Sequence, residues 1–162
     1  MVDLLTTSNA APALRSPTGC QEVMSMPTRL DGLTVLTPQE CLTLLRSHPV
    51  HVGRLGVTDT DGQPLIVPVN YRLVGESVIV RTEPSSLIAE RAIGHRVAFQ
   101  VDDFDAAWRE GWSVLVQGRA EQVDDDDELE RLRALPLRPW APGERPLYLR
   151  IMPTFVTGRR ID

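Results

Sequence analysis

VGRLGVTDTDGQPLIVPVNYRLVGESVIVRT, residues 52–82, carries the pattern of a β-sheet protein. Short apolar runs with a period of two are joined by polar turns, which is the signature of antiparallel strands. The turn Asp59-Thr60-Asp61-Gly62 places Asp and Gly where a hairpin needs them. Leu65, Val67, Val69, Tyr71 and Leu73 alternate on one face of the second strand, with Pro64 and Pro68 on the opposite parity. A proline removes a ladder donor, so Pro68 marks an edge, a bulge, or a place where the backbone faces something other than a strand. Gly75 turns the chain into a third strand that ends on Arg81-Thr82.

Directly after that strand, Glu83-Pro84-Ser85-Ser86-Leu87 opens a helical stretch. A strand that delivers Arg81 and Thr82 to a helix start can make an anion site. The first N–H groups of the helix are unpaired, its dipole favours negative charge, and arginine bonds phosphate bidentately. Taken alone, the same residues read more readily as a solvated strand end followed by ordinary capping serines, since helix starts favour these residues anyway.

Upstream, Thr37-Pro38-Gln39-Glu40 is a capping box with proline in the first helical position, and the helix stops at His48-Pro49. Val50 to Val57 is the first strand. A helix is expected over 85–93, a fourth strand over 96–102 and a long fifth over 112–120. The acidic run at 124–128 opens a helix through Leu129, Leu132 and Leu135. A proline-rich connector then leads to two last strands, 147–152 and 154–161, broken by Pro153. Many short strands with two or three inserted helices predict a mainly β, antiparallel barrel with short flanking helices.

The chain has 162 residues, one domain's worth, and a net charge of −5. Its acids are concentrated at 124–128 and it shows no basic face, which argues against nucleic-acid binding. That run lacks the alternating ligands of a calcium loop and complements the N-terminus of the next helix instead. No stretch has the length of a transmembrane helix. Cys20 and Cys41 form no CxxC or framework pattern, which predicts a reduced, cytoplasmic protein. Residues 1–33 are expected to be a disordered extension and 34–162 the folded domain; Met24 or Met26 is an alternative start. His48 and His51 are three apart but straddle Pro49 and have no companion ligands, so no metal site is expected.

The order of these pieces resembles the pyridoxamine 5′-phosphate oxidase-like family of flavin-binding split barrels. The motifs that carry the resemblance are GRLGV at 53–57, PLIVPVNY at 64–71, VIVRT at 78–82, VAFQVDDFD at 97–105, GWSVLVQGRAEQV at 111–123, PWAPGER at 139–145 and RIMPTFVTGRRI at 150–161. Together they span about residues 37 to 161.

The resemblance implies a six-stranded antiparallel split β-barrel and a homodimer with cofactor sites at the subunit interface. It implies FMN as cofactor, with the ring along Pro68, Val69, Asn70 and Tyr71 and the phosphate at Arg81, Thr82, Ser85, Ser86 and Leu87. Trp112 and Ser113 would close the site. The implied activity is that of an oxidoreductase acting on a small molecule. Alternatives on the same fold are a deazaflavin, a haem, or a non-catalytic ligand-binding module. No triad or other catalytic residue can be assigned from spacing, so the chemistry would be the cofactor's. One departure stands out: the family usually has a lysine where this chain has Leu87, and a glycine where it has Ser85.

Overall fold

The computed structural model describes residues 29–30, 33–140 and 142–161. The expected extension over 1–33 lies outside them, apart from Arg29–Leu30 and Leu33, which are strand. Along the chain run β1 (Arg29–Leu30), β2 (Leu33–Leu36), α1 (Pro38–Ser47), β3 (Val52–Thr58), β4 (Pro64–Val74), β5 (Ser77–Thr82), α2 (Leu87–Ala92), β6 (Arg96–Asp105), β7 (Glu110–Gln122), α3 (Asp126–Arg133) and β8 (Leu147–Ile161).

Six strands close an antiparallel barrel in the order β8-β5-β4-β3-β6-β7 and back to β8, and the β1–β2 hairpin adds to the far half of β8. The barrel interior follows the period-two pattern: Leu55, Tyr71, Val80, Phe99, Val101, Val114, Val116 and Leu149 are all buried. Each such large side chain contributes about 1.5–3 kcal/mol relative to exposure. Gly53 is required here, because a Cβ would fall 2.3 Å from the Phe99 ring. The α1 helix, capped by Thr37 and Glu40 as its sequence predicts, packs Cys41, Leu42 and Leu45 inward against β4, β7 and β8.

A second, smaller cluster lies outside the barrel. Ile79 and Tyr148, on β5 and β8, are covered by Leu132 of α3 and by Leu137 of the following connector. Asp125 caps α3, accepting the N–H of Glu128 at 2.8 Å, so the acidic run serves the helix start.

One expectation needs correcting. Pro153 does not split the final segment in two; β8 is continuous from Leu147 to Ile161. The proline is absorbed by a register shift opposite Gln117/Gly118, where Gly118 pairs with Pro153 and Gln117 with Phe155. The skipped residue, Thr154, donates its hydroxyl to the Gln117 carbonyl at 3.1 Å. Gly118 permits the close approach: a Cβ there would lie 2.1 Å from the Met152 carbonyl oxygen. Among the described residues no helix is long and apolar enough to cross a membrane.

Candidate functional site

β4 is paired on both sides over only part of its length. Pro64 to Asn70 pair with β3, but β5 joins only from Tyr71 onward. The Tyr71 N–H donates to the His51 carbonyl at 3.0 Å. By the alternation of a strand, odd-numbered residues of this segment therefore address β3, and Pro64, Ile66, Pro68 and Asn70 turn their backbone groups to the open edge. Pro68 thus costs no ladder bond. It sits exposed on an edge where, among the described residues, the carbonyls of Pro64, Ile66 and Pro68 and the N–H groups of Ile66 and Asn70 face no paired strand. Val69 and Tyr71 point the other way: both side chains are buried, and the Tyr71 hydroxyl donates to the Leu45 carbonyl at 2.8 Å.

At the fork between β4 and β5 the expected anchoring residues part company. Thr82 is buried and its hydroxyl lies 2.7 Å from that of Ser86. Ser86 also caps α2, accepting the N–H of Ala89 at 3.1 Å. Arg81, one residue earlier on the strand, faces the opposite side. Its Nε donates to the Arg145 carbonyl at 3.0 Å and its Nη1 to the Leu137 carbonyl at 3.3 Å, while its guanidinium lies 5.1 Å from the centre of the Tyr148 ring. Three of its five N–H donors remain unused by these bonds. Ser85 is exposed and donates to Glu83 at 3.1 Å; Leu87, the first residue of α2, is 44% exposed.

The connector that follows α3 forms a roof over this fork. Asn70 accepts the Trp140 backbone N–H at 2.8 Å. Beneath lies a cavity of about 340 Å³, lined in part by His51, Asn70, Arg72, Leu137, Arg138 and Trp140. Its walls carry no carboxylate. His51 Nδ1 and Arg72 Nη1 are buried there with no hydrogen-bond partner among the described residues, and His51 is held at φ 48°, a conformation a residue with a side chain rarely adopts. The half-buried Arg72 guanidinium, beside an imidazole and the exposed Arg138, gives this cavity the charge and donors that suit an anion.

Trp112 and Ser113 stand elsewhere, on β7 opposite Asp103 and Asp102. Trp112 meets His48 edge-on at 5.6 Å. Sequence reasoning missed His51, Arg72 and the connector's backbone. The parity of Arg72 on the second strand, equal to that of Asn70, was the available signal for a side chain on the same outer face. Among the described residues no group of three or more His, Cys, Asp or Glu could hold a metal ion.

The residues present match a flavin in three respects: an open edge of backbone donors and acceptors, a paired hydroxyl site at a helix start, and a cationic cavity at the end of that edge. A family model described as pyridoxamine 5′-phosphate oxidase matches residues 37–160. An uncharacterized protein of Mycobacterium tuberculosis is 36% identical over 131 residues, which cover 78% of this chain and 84% of that protein. The solved FAD binding protein from Mycobacterium smegmatis is 34% identical, with a TM-score of 0.67 over 78% of this chain and 97% of its own. A putative pyridoxamine 5′-phosphate oxidase from Corynebacterium glutamicum is 32% identical, with a TM-score of 0.69 over 85% and 96%. A FAD-binding protein from Mesorhizobium loti is 27% identical, with a TM-score of 0.63 over 80% and 99%. With its barrel, its motifs and its relatives in agreement, the chain belongs to the pyridoxamine 5′-phosphate oxidase-like family of split barrels.

Proposed function

We propose that this chain is a flavin-dependent oxidoreductase that binds FMN along the open edge of β4 and acts on a small molecule. The observation that carries the reading is the run Pro64–Asn70, paired with β3 on one side only, whose even-numbered residues turn their backbone groups to the open edge in a fold shared with proteins named as flavin binders. The flavin would supply two-electron transfer; the protein would supply position, hydrogen bonds and exclusion of water. Pro68 and Asn70 would address the polar edge of the ring. The Thr82–Ser86 pair would offer toward the phosphate the hydroxyl hydrogen not spent between them, and Arg81, on the other face of β5, would add charge at longer range through its unused donors.

A homodimer is part of this proposal. Ile66 on the open edge is 72% exposed, and Phe155, which shares a surface cavity with it, is 58% exposed. Apolar side chains of this size bordering an unpaired strand are best covered by a second copy of the chain. The two cysteines, without framework spacing, support a reducing, cytoplasmic setting.

A second reading, FAD, is favoured by the distribution of charge. With Leu87 in place of the family's lysine, and no lysine anywhere in the chain, the hydroxyl site has little charge to offer a phosphate monoester. Arg72 and Arg138, beside the His51 ring, concentrate charge further along, where a second phosphate could reach. The experiment is a visible spectrum of the freshly purified protein, followed by titration of flavin-free protein with FMN, FAD and riboflavin. Tightest binding of FMN supports the first reading and of FAD the second. No flavin absorbance and no saturable binding of any of the three would overturn both.

A further inference from the structure

The barrel closes without the segment that joins β7 to β8. Among the described residues, no side chain of the barrel core, or packed against it, comes from 121–146. α3 and the connector after it pack on the outer wall instead. Leu132 and Leu137 are buried with Ile79 and Tyr148 of that wall, and Leu129 and Leu135 lie partly buried beside them. Three polar ties reach the segment from the barrel. Arg150 is ion-paired with Glu128, Arg81 donates to the Leu137 carbonyl at 3.3 Å, and Asn70 accepts the Trp140 N–H at 2.8 Å. The outward surface, with Asp126, Asp127, Glu130, Arg131 and Arg133, is exposed.

These attachments form one cooperative set. An eight-residue helix is too short to persist alone in water, so α3 loses its helix when Leu132 leaves the wall. The connector up to Trp140 has no strand or helix of its own, and its order comes from Leu137 and the ties to Arg81 and Asn70. Underneath, Leu137, Arg138 and Trp140 share the lining of the cationic cavity with Asn70 and Arg72. Arg72 belongs to β4 and Arg138 to the segment above it. Two guanidiniums lining one cavity repel each other, and an anion between them attracts both. Such an anion binds the docked segment more tightly than the undocked one, which is what a ligand needs to shift that equilibrium.

We propose that residues 126–140 are a cover that leaves the barrel wall as a unit while the barrel stays closed, and that a phosphate-bearing anion held between Arg72 and Arg138 draws it shut. The proposal uses the charge of the cavity and no property of a flavin.

The test is amide hydrogen exchange of the full chain without flavin, in inorganic pyrophosphate and in sodium chloride of equal ionic strength. In chloride, the amides of α3 and those of Leu135, Leu137 and Trp140 should share one opening and exchange about a hundredfold faster than the buried middle of β7. Leu132→Ala should speed all of them by a common factor of about ten or more and leave β7 as it was. Pyrophosphate at ten times its apparent Kd should slow the cover about tenfold, again without effect on β7. Arg138 is exposed, so Arg138→Gln keeps the fold and should lose most of that slowing. Cover amides that exchange only together with β7, or that respond unevenly to Leu132→Ala, overturn the single unit. Exchange unchanged by pyrophosphate, or slowed equally in Arg138→Gln, overturns closure by an anion. Because no flavin is present, failure of FMN and FAD to bind leaves the cover standing, and a cover that does not open leaves the FMN reading standing.

Discussion

The side-chain oxygen of Asn70 accepts the backbone N–H of Trp140 at 2.8 Å, joining the end of the open strand edge to a segment 70 residues later in the chain. Arg81 grips the same connector from β5, through the carbonyls of Leu137 and Arg145. The two strands that diverge at the fork are therefore tied to a common roof, and the cationic cavity exists because that roof is held there. Fold and site meet at these three bonds: they order a proline-rich segment with little secondary structure of its own, and they fix one wall of the cavity.

Asn70→Ala should loosen the roof without touching the barrel core. Loss of one hydrogen bond to a partly buried group costs about 0.5–1.5 kcal/mol. Amide exchange across 136–146 should accelerate, while exchange in β6 and β7 stays as in the parent. Asn70→Asp keeps an acceptor and should restore most of the protection. Unchanged exchange in the connector of Asn70→Ala would show that the bond is not what holds it.

Arg81 carries two duties that can be separated. Its bonds to Leu137 and Arg145 predict that Arg81→Ala loses roughly 1–3 kcal/mol of stability, read from denaturant melts of flavin-free protein. If its unused donors also serve the phosphate, FMN should weaken by at least about tenfold relative to riboflavin, which lacks the phosphate. A loss of stability with the FMN-to-riboflavin affinity ratio unchanged would assign Arg81 to the roof alone.

The barrel was legible because its strands obey a period of two with turns at the right places. Leu65, Val67, Val69 and Tyr71 all face inward as their parity predicts, and Pro68 lies on an open edge, one of the three settings its missing N–H left open. Pro153 misled, since a bulge absorbs a proline as readily as a strand break does, and the glycine that makes the bulge possible lies on the neighbouring strand. The site was harder to read for two physical reasons. Adjacent strand residues face opposite ways, so Arg81 and Thr82, neighbours in sequence, act on different faces. The groups that meet Arg81 and Asn70 are backbone atoms of a distant connector, which leave no mark in residue identity.

Cys41 should be inert in the native state. It is fully buried, and that burial, reinforced by nearby Glu40, pushes its thiol up to about 11 from an ordinary 9.0. In a Cys20→Ser background, a disulfide reagent at pH 8 should react with Cys41 only as fast as the protein unfolds. The raised value also sets an alkaline limit. Above pH about 9 the unfolded chain releases a proton that the native thiol retains, so stability falls with rising pH until the native thiol also ionises near 11. Cys41→Ala should flatten this part of the pH–stability curve; an identical slope in both proteins would exclude the thiol as its source.

Leu87 offers the sharpest test of how the phosphate is held. It is the first residue of α2 and 44% exposed, so a lysine there can extend its stem over the same surface and keep its ammonium in water. Stability of Leu87→Lys should therefore stay within about 0.5 kcal/mol of the parent. If the position faces the phosphate, as the family pattern implies, FMN should bind about tenfold tighter, and the gain should shrink as salt is raised. FAD should gain less, because its two phosphates are joined in a pyrophosphate, each carrying one charge, where FMN presents nearly two on one group. Equal gains for FMN and riboflavin would mean the new side chain acts by packing. No gain for any flavin would place the phosphate away from α2 and leave the cations of the roofed cavity as its counter-charge.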